Sequence, residues 1–204
     1  MKQRLCLIVA AVILSSVGCK DSPFEASPGS LSEHRMRAGS SDISVMTQNL
    51  YVGADIDLVI QALGTANPDD DFPALLFAIE TLDKTAFPAR VEAIADKIAR
   101  ARPHAVGLQE VSQINIDLRP LGMPVAVSQD FLAMVQSALA RRGLHYTVAA
   151  TSTNITVSLV SGLVRLTDQD ALLIDADRVR ITAASGQNFA VNLGPVAPGI
   201  SLMP

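Results

Sequence analysis

The chain has 204 residues, 49% of them hydrophobic and 18% charged, a composition that builds a buried core rather than a disordered segment. Its formal net charge of −4 excludes a surface that holds nucleic acid by phosphate contacts alone, so any phosphate chemistry needs a metal ion or local donors. Aromatic residues make up 4% with no Trp, which argues against a stacking platform for single-stranded nucleic acid.

The first segment, MKQRLCLIVAAVILSSVGCK, has Lys2 and Arg4, then an apolar run from Leu5 to Leu14, then small residues. This is the pattern of a signal peptide over residues 1–18, too short for a permanent membrane span. Ser16 and Gly18 directly before Cys19 resemble a bacterial lipoprotein signal, in which cleavage leaves a lipidated cysteine at the mature N-terminus. Ser16 stands where Leu is most usual. The expectation is export to the bacterial cell envelope with a lipid anchor at Cys19; ordinary cleavage at the same small residues would give a secreted chain instead. The other cysteine, Cys6, lies inside the signal, so the mature domain has no thiol for catalysis, metal binding or a disulfide. Residues 19–41 are rich in Ser, Pro and Gly without periodicity and read as a flexible tether.

The domain is expected over residues 42–204. ISVMTQNLYV reads as a strand entering a loop. GADIDLVIQALG reads as a short helix capped by Asp55 or Asp57 and ended by Gly64. DDDFPALLFAIETLDK reads as a second helix; Asp69, Asp70 and Asp71 lack the rest of a calcium loop and suit helix capping and solvation. In FPARVEAIADKIARARP, Val91, Ile94, Ala95 and Ile98 make one apolar stripe, Arg100 and Arg102 suit the C-terminal end, and Pro103 stops the helix. The apolar strand AVGLQEV follows, which is the grammar of a layered α/β fold. SQDFLAMVQSALARRG reads as another amphipathic helix closed by Gly143. The strand-like runs LHYTVAAT, ITVSLV, DALLID and RVRITAA come next, the last two paired as a hairpin around Asp175–Asp177. After Gln187 the pattern dissolves.

No phosphate-binding glycine loop, dinucleotide fingerprint, nucleophile elbow or zinc-protease helix is present. His34, His104 and His145 are far apart with no ligand spacing, and read as surface or satisfied histidines. Two polar residues at strand ends remain: Asn49, in VMTQNLY, and Glu110, at the end of AVGLQEV. Binding sites in open sheets collect beyond the carboxyl ends of strands. If the two strands are neighbours, an amide and a carboxylate share one crevice, and the carboxylate can hold Mg²⁺ with few protein ligands plus water.

Thr47 and Asn49 in the first strand, a helix beginning near Arg90, and a proline-led strand from Pro103 to Leu108, Gln109 and Glu110 occur in order and at matching spacing. Together they resemble the first half of the endonuclease/exonuclease/phosphatase superfamily, over roughly residues 42–111. The resemblance implies a four-layered α/β sandwich, two mostly antiparallel sheets flanked by helices. It implies that Glu110 is a ligand of Mg²⁺ (or Mn²⁺), with Asn49 acting in the metal-site network and orienting the scissile phosphate. The reaction implied is hydrolysis of a phosphodiester or phosphomonoester by activated water, on a nucleic acid, a phospholipid or an organic phosphate. The low basic content slightly disfavours long nucleic acid.

The family's Asp-x-Asn motif and its C-terminal Asp-His do not occur; Asn188 and Asn192 have no Asp two residues before them, and no histidine follows His145. The expectation is therefore an incomplete domain with the second half missing, weak or inactive as a catalyst. The alternative is an exported lipoprotein that binds a ligand, or a degenerate fragment, without catalysis. A further reading makes Asp55 and Asp57 an additional metal cluster beside Asn49, against which stands simple helix capping. Asp168 and Asp170 could also face the cleft, against which stands the reading as ordinary loop acids. No protein partner is evident; the membrane is reached through the lipid anchor.

Overall fold

The first strand, β1, is Val45–Asn49, and it ends on the residue singled out above. The structure, a computed structural model, describes residues 42–188 except Ala66 and Pro68, with Pro195–Ala197 and Ile200–Leu202. The expected signal, Cys19, the tether and Asn192 lie outside the described residues. No helix among the described residues is long and apolar enough to cross a membrane.

Helix α1, Ile56–Leu63, is capped by Asp55, which accepts from the Leu58 N–H at 3.4 Å, and closes at Gly64. The aspartates before α2, Asp71–Thr85, do not cap it. The side chain of Asp70 at the N-cap position makes no bond to the helix and accepts from Thr65 Oγ1 at 3.1 Å, while Asp71 stands in the first turn, where the helix dipole favours it. Helix α3, Phe87–Ala101, carries Pro88 in its first turn, where the missing N–H does no harm, and buries Phe87, Val91, Ala95 and Ile98. Strand β2, Ala105–Gln109, follows.

Beyond β2 the sequence pattern is less legible. Strands β3, Gln113–Asp117, and β4, Ala126–Asp130, form a hairpin that the pattern did not suggest, and β4 takes the residues expected to begin the next helix. That helix, α4, is Phe131–Ala140, with the Asp130 side chain accepting from the Ala133 N–H at 3.0 Å. The runs LHYTVAAT and ITVSLV are one strand, β5, Tyr146–Leu159, with two irregularities near Ala149 and Asn154. Strand β6 is Val164–Asp175. The expected hairpin with RVRITAA is absent among the described residues. Asp175 is buried and accepts from Arg178 Nε at 2.7 Å, while Arg178 Nη2 donates to the Pro103 carbonyl at 2.9 Å. This ties the turn down onto the loop after α3 and carries the chain off the sheet. Two short strands, β7, Pro195–Ala197, and β8, Ile200–Leu202, lie in the stretch read as patternless, and β8 pairs with β5.

The result is a mixed α/β fold with one mixed sheet, ordered β1-β2-β6-β5-β8-β7 with β3 and β4 alongside β6. Among the described residues only β1 and β2 pair in parallel, and the other pairings are antiparallel. A second sheet is not among the described residues.

One irregularity organises both faces. β2 and β3 both pair with β6, so they form one broken line beside it. From the pair Leu108–Ala171 to the pair Gln113–Thr167 there are five residue steps on one side and four on the other, a β-bulge of one extra residue. Val111 N–H donates to the Gln169 carbonyl, which leaves Gln109 and Glu110 together opposite Asp170. Glu110 carries the conformational change, with φ 54°. Because side chains alternate, one extra residue exchanges the faces. Val106 and Leu108, with Ala171 and Leu173, are buried on one face; beyond the bulge Ile114 and Ile116, with Val164 and Leu166, point to the other. There they meet α1 and α2 around an apolar void. Without the bulge, Glu110 would follow Leu108 into the first core. The core around α3 and α4 includes Phe87 stacked on Phe131, ring centres 3.5 Å apart and planes within 7°. Burying each such ring contributes about 1.5–3 kcal/mol.

Candidate functional site

Parallel pairing sets Asn49 opposite Gln109, so the carboxyl ends of β1 and β2 lie side by side and Asn49 meets Glu110. Asn49 Nδ2 donates to Glu110 Oε1 at 2.7 Å, and the Val52 N–H donates to Glu110 Oε2 at 2.8 Å. The Tyr51 N–H donates to Asn49 Oδ1 at 2.7 Å. Each oxygen of the carboxylate thus has one donor and keeps a second lone pair. Tyr51 and Glu110 both hold left-handed backbone, φ 57° and 54°, at about 1–2 kcal/mol each for residues with a side chain. Strain of that kind at Glu110 and in the loop that holds its partner Asn49 is a reason to look there for function.

The loop from Leu50 to Gly53 is fixed from beneath. Arg90 donates through Nη1 to the Leu50 carbonyl at 2.5 Å, through Nη2 to the Tyr51 carbonyl at 2.9 Å, and through Nε to the Thr85 carbonyl at 2.9 Å. Its guanidinium lies 5.1 Å from the Phe87 ring centre and 5.4 Å from that of Tyr51. Burial lowers its pKa, and the charges of Tyr51 and Glu110 act against that fall. Thr85 Oγ1 donates to the Gly53 carbonyl at 3.1 Å. At Gly53, φ is 92° and any Cβ would run into the Thr85 side chain, so this position requires glycine.

Tyr51, Val52, Asp55, Asp57, Glu110 and Asp168 are among the residues around an open cleft of about 700 Å³. Of the two readings open for Asp168, a cleft-facing acid or a loop acid, the structure gives the first: it lies within β6, on Glu110's side of the sheet, and lines the cleft. It accepts from Ser112 Oγ at 2.8 Å and from Asn154 Nδ2 at 3.4 Å. Burial raises its pKa; the hydrogen bonds from Ser112 and Asn154 oppose the rise, while the charges of Glu110 and Asp170 add to it. The signal for it was present in LTDQDALLID, where Asp168 and Asp170 directly precede the apolar run from Ala171 to Ile174. Asp55 caps α1 and, with Asp57, lines the cleft wall.

The remaining candidates stand elsewhere. His104 Nδ1 is bonded to Ser44 Oγ at 2.9 Å, at the opposite end of β1 and β2, and His145 pairs with Asp177 at 3.0 Å. Asn188 is bound to β5, donating to the Thr153 carbonyl at 2.5 Å and accepting from Ser152 Oγ.

No group of three or more His, Cys, Asp or Glu among the described residues converges as a ready metal cage. The polar donors around the cleft are oxygens, those of Glu110 and Asp168 on one sheet face and Asp55 and Asp57 on the rim. That chemistry suits a hard, largely hydrated cation held by one or two carboxylates, and does not suit a soft metal. Compared with known proteins, the chain matches no family model, no curated protein and no solved structure.

Proposed function

We propose that the cleft is the site of a metal-dependent phosphoesterase of the endonuclease/exonuclease/phosphatase type. The observation that carries this reading is the Asn49–Glu110 pair, held at the carboxyl ends of two parallel strands with both backbone strain and backbone donors devoted to it. Glu110, with Asp168 beside it, would hold Mg²⁺ or Mn²⁺, and such an ion, when bound, supplies charge neutralisation at the phosphoryl oxygens. Asn49 gives one Nδ2 hydrogen to Glu110 and has the second to offer a phosphate oxygen. Asp168, partly buried and accepting from Ser112 Oγ and Asn154 Nδ2, is a second carboxylate lining the cleft.

The substrate is a phosphoester, of nucleic acid, phospholipid or organic phosphate. The finer architecture, a four-layered sandwich, belongs to the same proposal. Its support is the uncovered face carrying Val45, 64% exposed, and Leu172, 39% exposed, where a second sheet would pack. So does placement in the cell envelope through Cys19, which rests on the sequence.

A second reading, a binding module without catalysis, is favoured by the cleft lining, whose charged residues Asp55, Asp57, Glu110 and Asp168 are all acidic. Thermal unfolding with added Mg²⁺ or Mn²⁺ separates the two when paired with phosphodiester hydrolysis. A cation-induced rise in Tm that disappears in Glu110→Gln, together with hydrolysis, supports the phosphoesterase. The same rise without hydrolysis supports the binding module, and a wild-type Tm indifferent to both ions removes the metal site altogether.

A further inference from the structure

The two terminal nitrogens of Arg90 grip consecutive peptide groups, and the opposite ends of those same groups face the candidate site. Along one path, Nη1 donates to the Leu50 carbonyl, and the N–H of that peptide, on Tyr51, donates to Asn49 Oδ1. Along the other, Nη2 donates to the Tyr51 carbonyl, and the N–H of that peptide, on Val52, donates to Glu110 Oε2. A planar peptide transmits orientation rigidly, and a cation at its oxygen polarises its N–H. We infer that Arg90 is a positioning residue that aims the Asn49–Glu110 pair through these two peptides, without touching substrate itself.

Three features support this reading over simple loop packing. All three guanidinium nitrogens donate to carbonyls, and Arg90 is not among the residues that line the cleft. The planar fork matches two adjacent carbonyls, which the single ammonium of lysine cannot do. Tyr51, between the two peptides, is held in left-handed backbone that the clamp must maintain. The catalytic part of the inference rests on the phosphoesterase reading; the positioning part does not.

The test uses the full chain, ¹⁵N-labelled, with Arg90→Met and Arg90→Lys, adding guanidinium or methylammonium ion. In Arg90→Met the Tyr51 and Val52 amide protons and the Asn49 side-chain amide move together, and guanidinium but not methylammonium restores them. In Arg90→Lys, which keeps the charge if the Met variant does not fold, one of the two peptide amides moves and the other stays. Hydrolysis of a phosphodiester such as bis(p-nitrophenyl) phosphate with Mn²⁺ falls in kcat by roughly 100-fold with KM little changed, the effect of small misplacement at a reacting centre. A folded Arg90→Met whose three amide signals stay in place overturns the inference, as does an Arg90→Lys that matches the wild type in all three. Amide shifts as expected in a protein whose wild type hydrolyses nothing would leave the positioning role standing and refute the phosphoesterase reading.

Discussion

Replacing Glu110 with Gln changes one atom's charge at the centre of the site while keeping shape and backbone. The carboxylate accepts from Asn49 Nδ2 at 2.7 Å and from the Val52 N–H at 2.8 Å. Gln offers one oxygen and one NH₂, so one of the two donors must face another donor. Asn49 cannot turn over without breaking its own bond from the Tyr51 N–H. The surviving arrangement aims the Gln oxygen at Val52 and loses the bond to Asn49. A hydrogen bond to a charged acceptor contributes about 1.5–3 kcal/mol, less at a solvent-accessible position, and relief of the repulsion from Asp168 offsets part of the loss. The net expectation is destabilisation by about 1 kcal/mol at neutral pH without divalent ions. That corresponds to a Tm lower by roughly 2–4 °C for a domain of this size. Urea unfolding of wild type, Glu110→Gln, Asn49→Ala and the double variant isolates the coupling between the two residues, expected at about 1 kcal/mol. Additivity within error, or a Glu110→Gln protein more stable than wild type at an unchanged m-value, would show that these bonds do not hold the carboxylate.

Further outcomes follow from other groups. Because the folded pKa of Asp168 is raised, the folded state binds its proton more tightly than the unfolded chain, so stability is lost as pH rises through that value. Asp168→Asn should flatten the pH profile of Tm just above the ordinary carboxylate range; an unchanged profile refutes the assignment. Asp175 behaves oppositely. Burial pushes it up, but the Arg178 hydrogen bond, the Asp177 N–H and the charges of Arg178 and Arg102 outweigh that and hold it below its ordinary value. Its contribution is present above the unfolded carboxylate pKa and is lost as pH falls through the folded one, so Asp175→Asn should lose stability at neutral pH and little at strongly acid pH. Phe87→Ala, which empties a fully buried site and breaks the stack on Phe131, should cost about 3–5 kcal/mol in chemical unfolding; a loss below about 1.5 kcal/mol would mean the core closes over the gap.

The part of the fold legible in the sequence was the part governed by local periodicity. The α3 stripe and the apolar β2 that follows it are written in spacing and in Pro103, and the adjacency of Asn49 and Glu110 follows once β1 and β2 pair in parallel. What remained hidden depends on partners distant in the chain. Strand β3, QINID, is five residues with only Ile114 and Ile116 apolar, too short a pattern to stand out, and the bulge at Glu110 that turns those two to the face opposite Leu108 has no sequence signature. RVRITAA has strand composition, yet the pairing of Arg178 with the buried Asp175 directs it away from the sheet. The choice between a cleft-facing and a loop Asp168 stayed open in the sequence because its reason for lying in a strand, the facing Ser112 and Glu110, is 56 and 58 residues away. The role of Arg90 was hidden for the same reason, since its partners are main-chain carbonyls that carry no sequence signature.

The most direct test is a crystal soaked in Mn²⁺ and measured at the manganese absorption edge, with Glu110→Gln crystals treated alike. An anomalous peak is expected within coordinating distance of the Glu110 carboxylate, inside the cleft shared with Asp168, and is lost in the variant. Manganese found only away from Glu110, or a cleft peak that persists in Glu110→Gln, would contradict it.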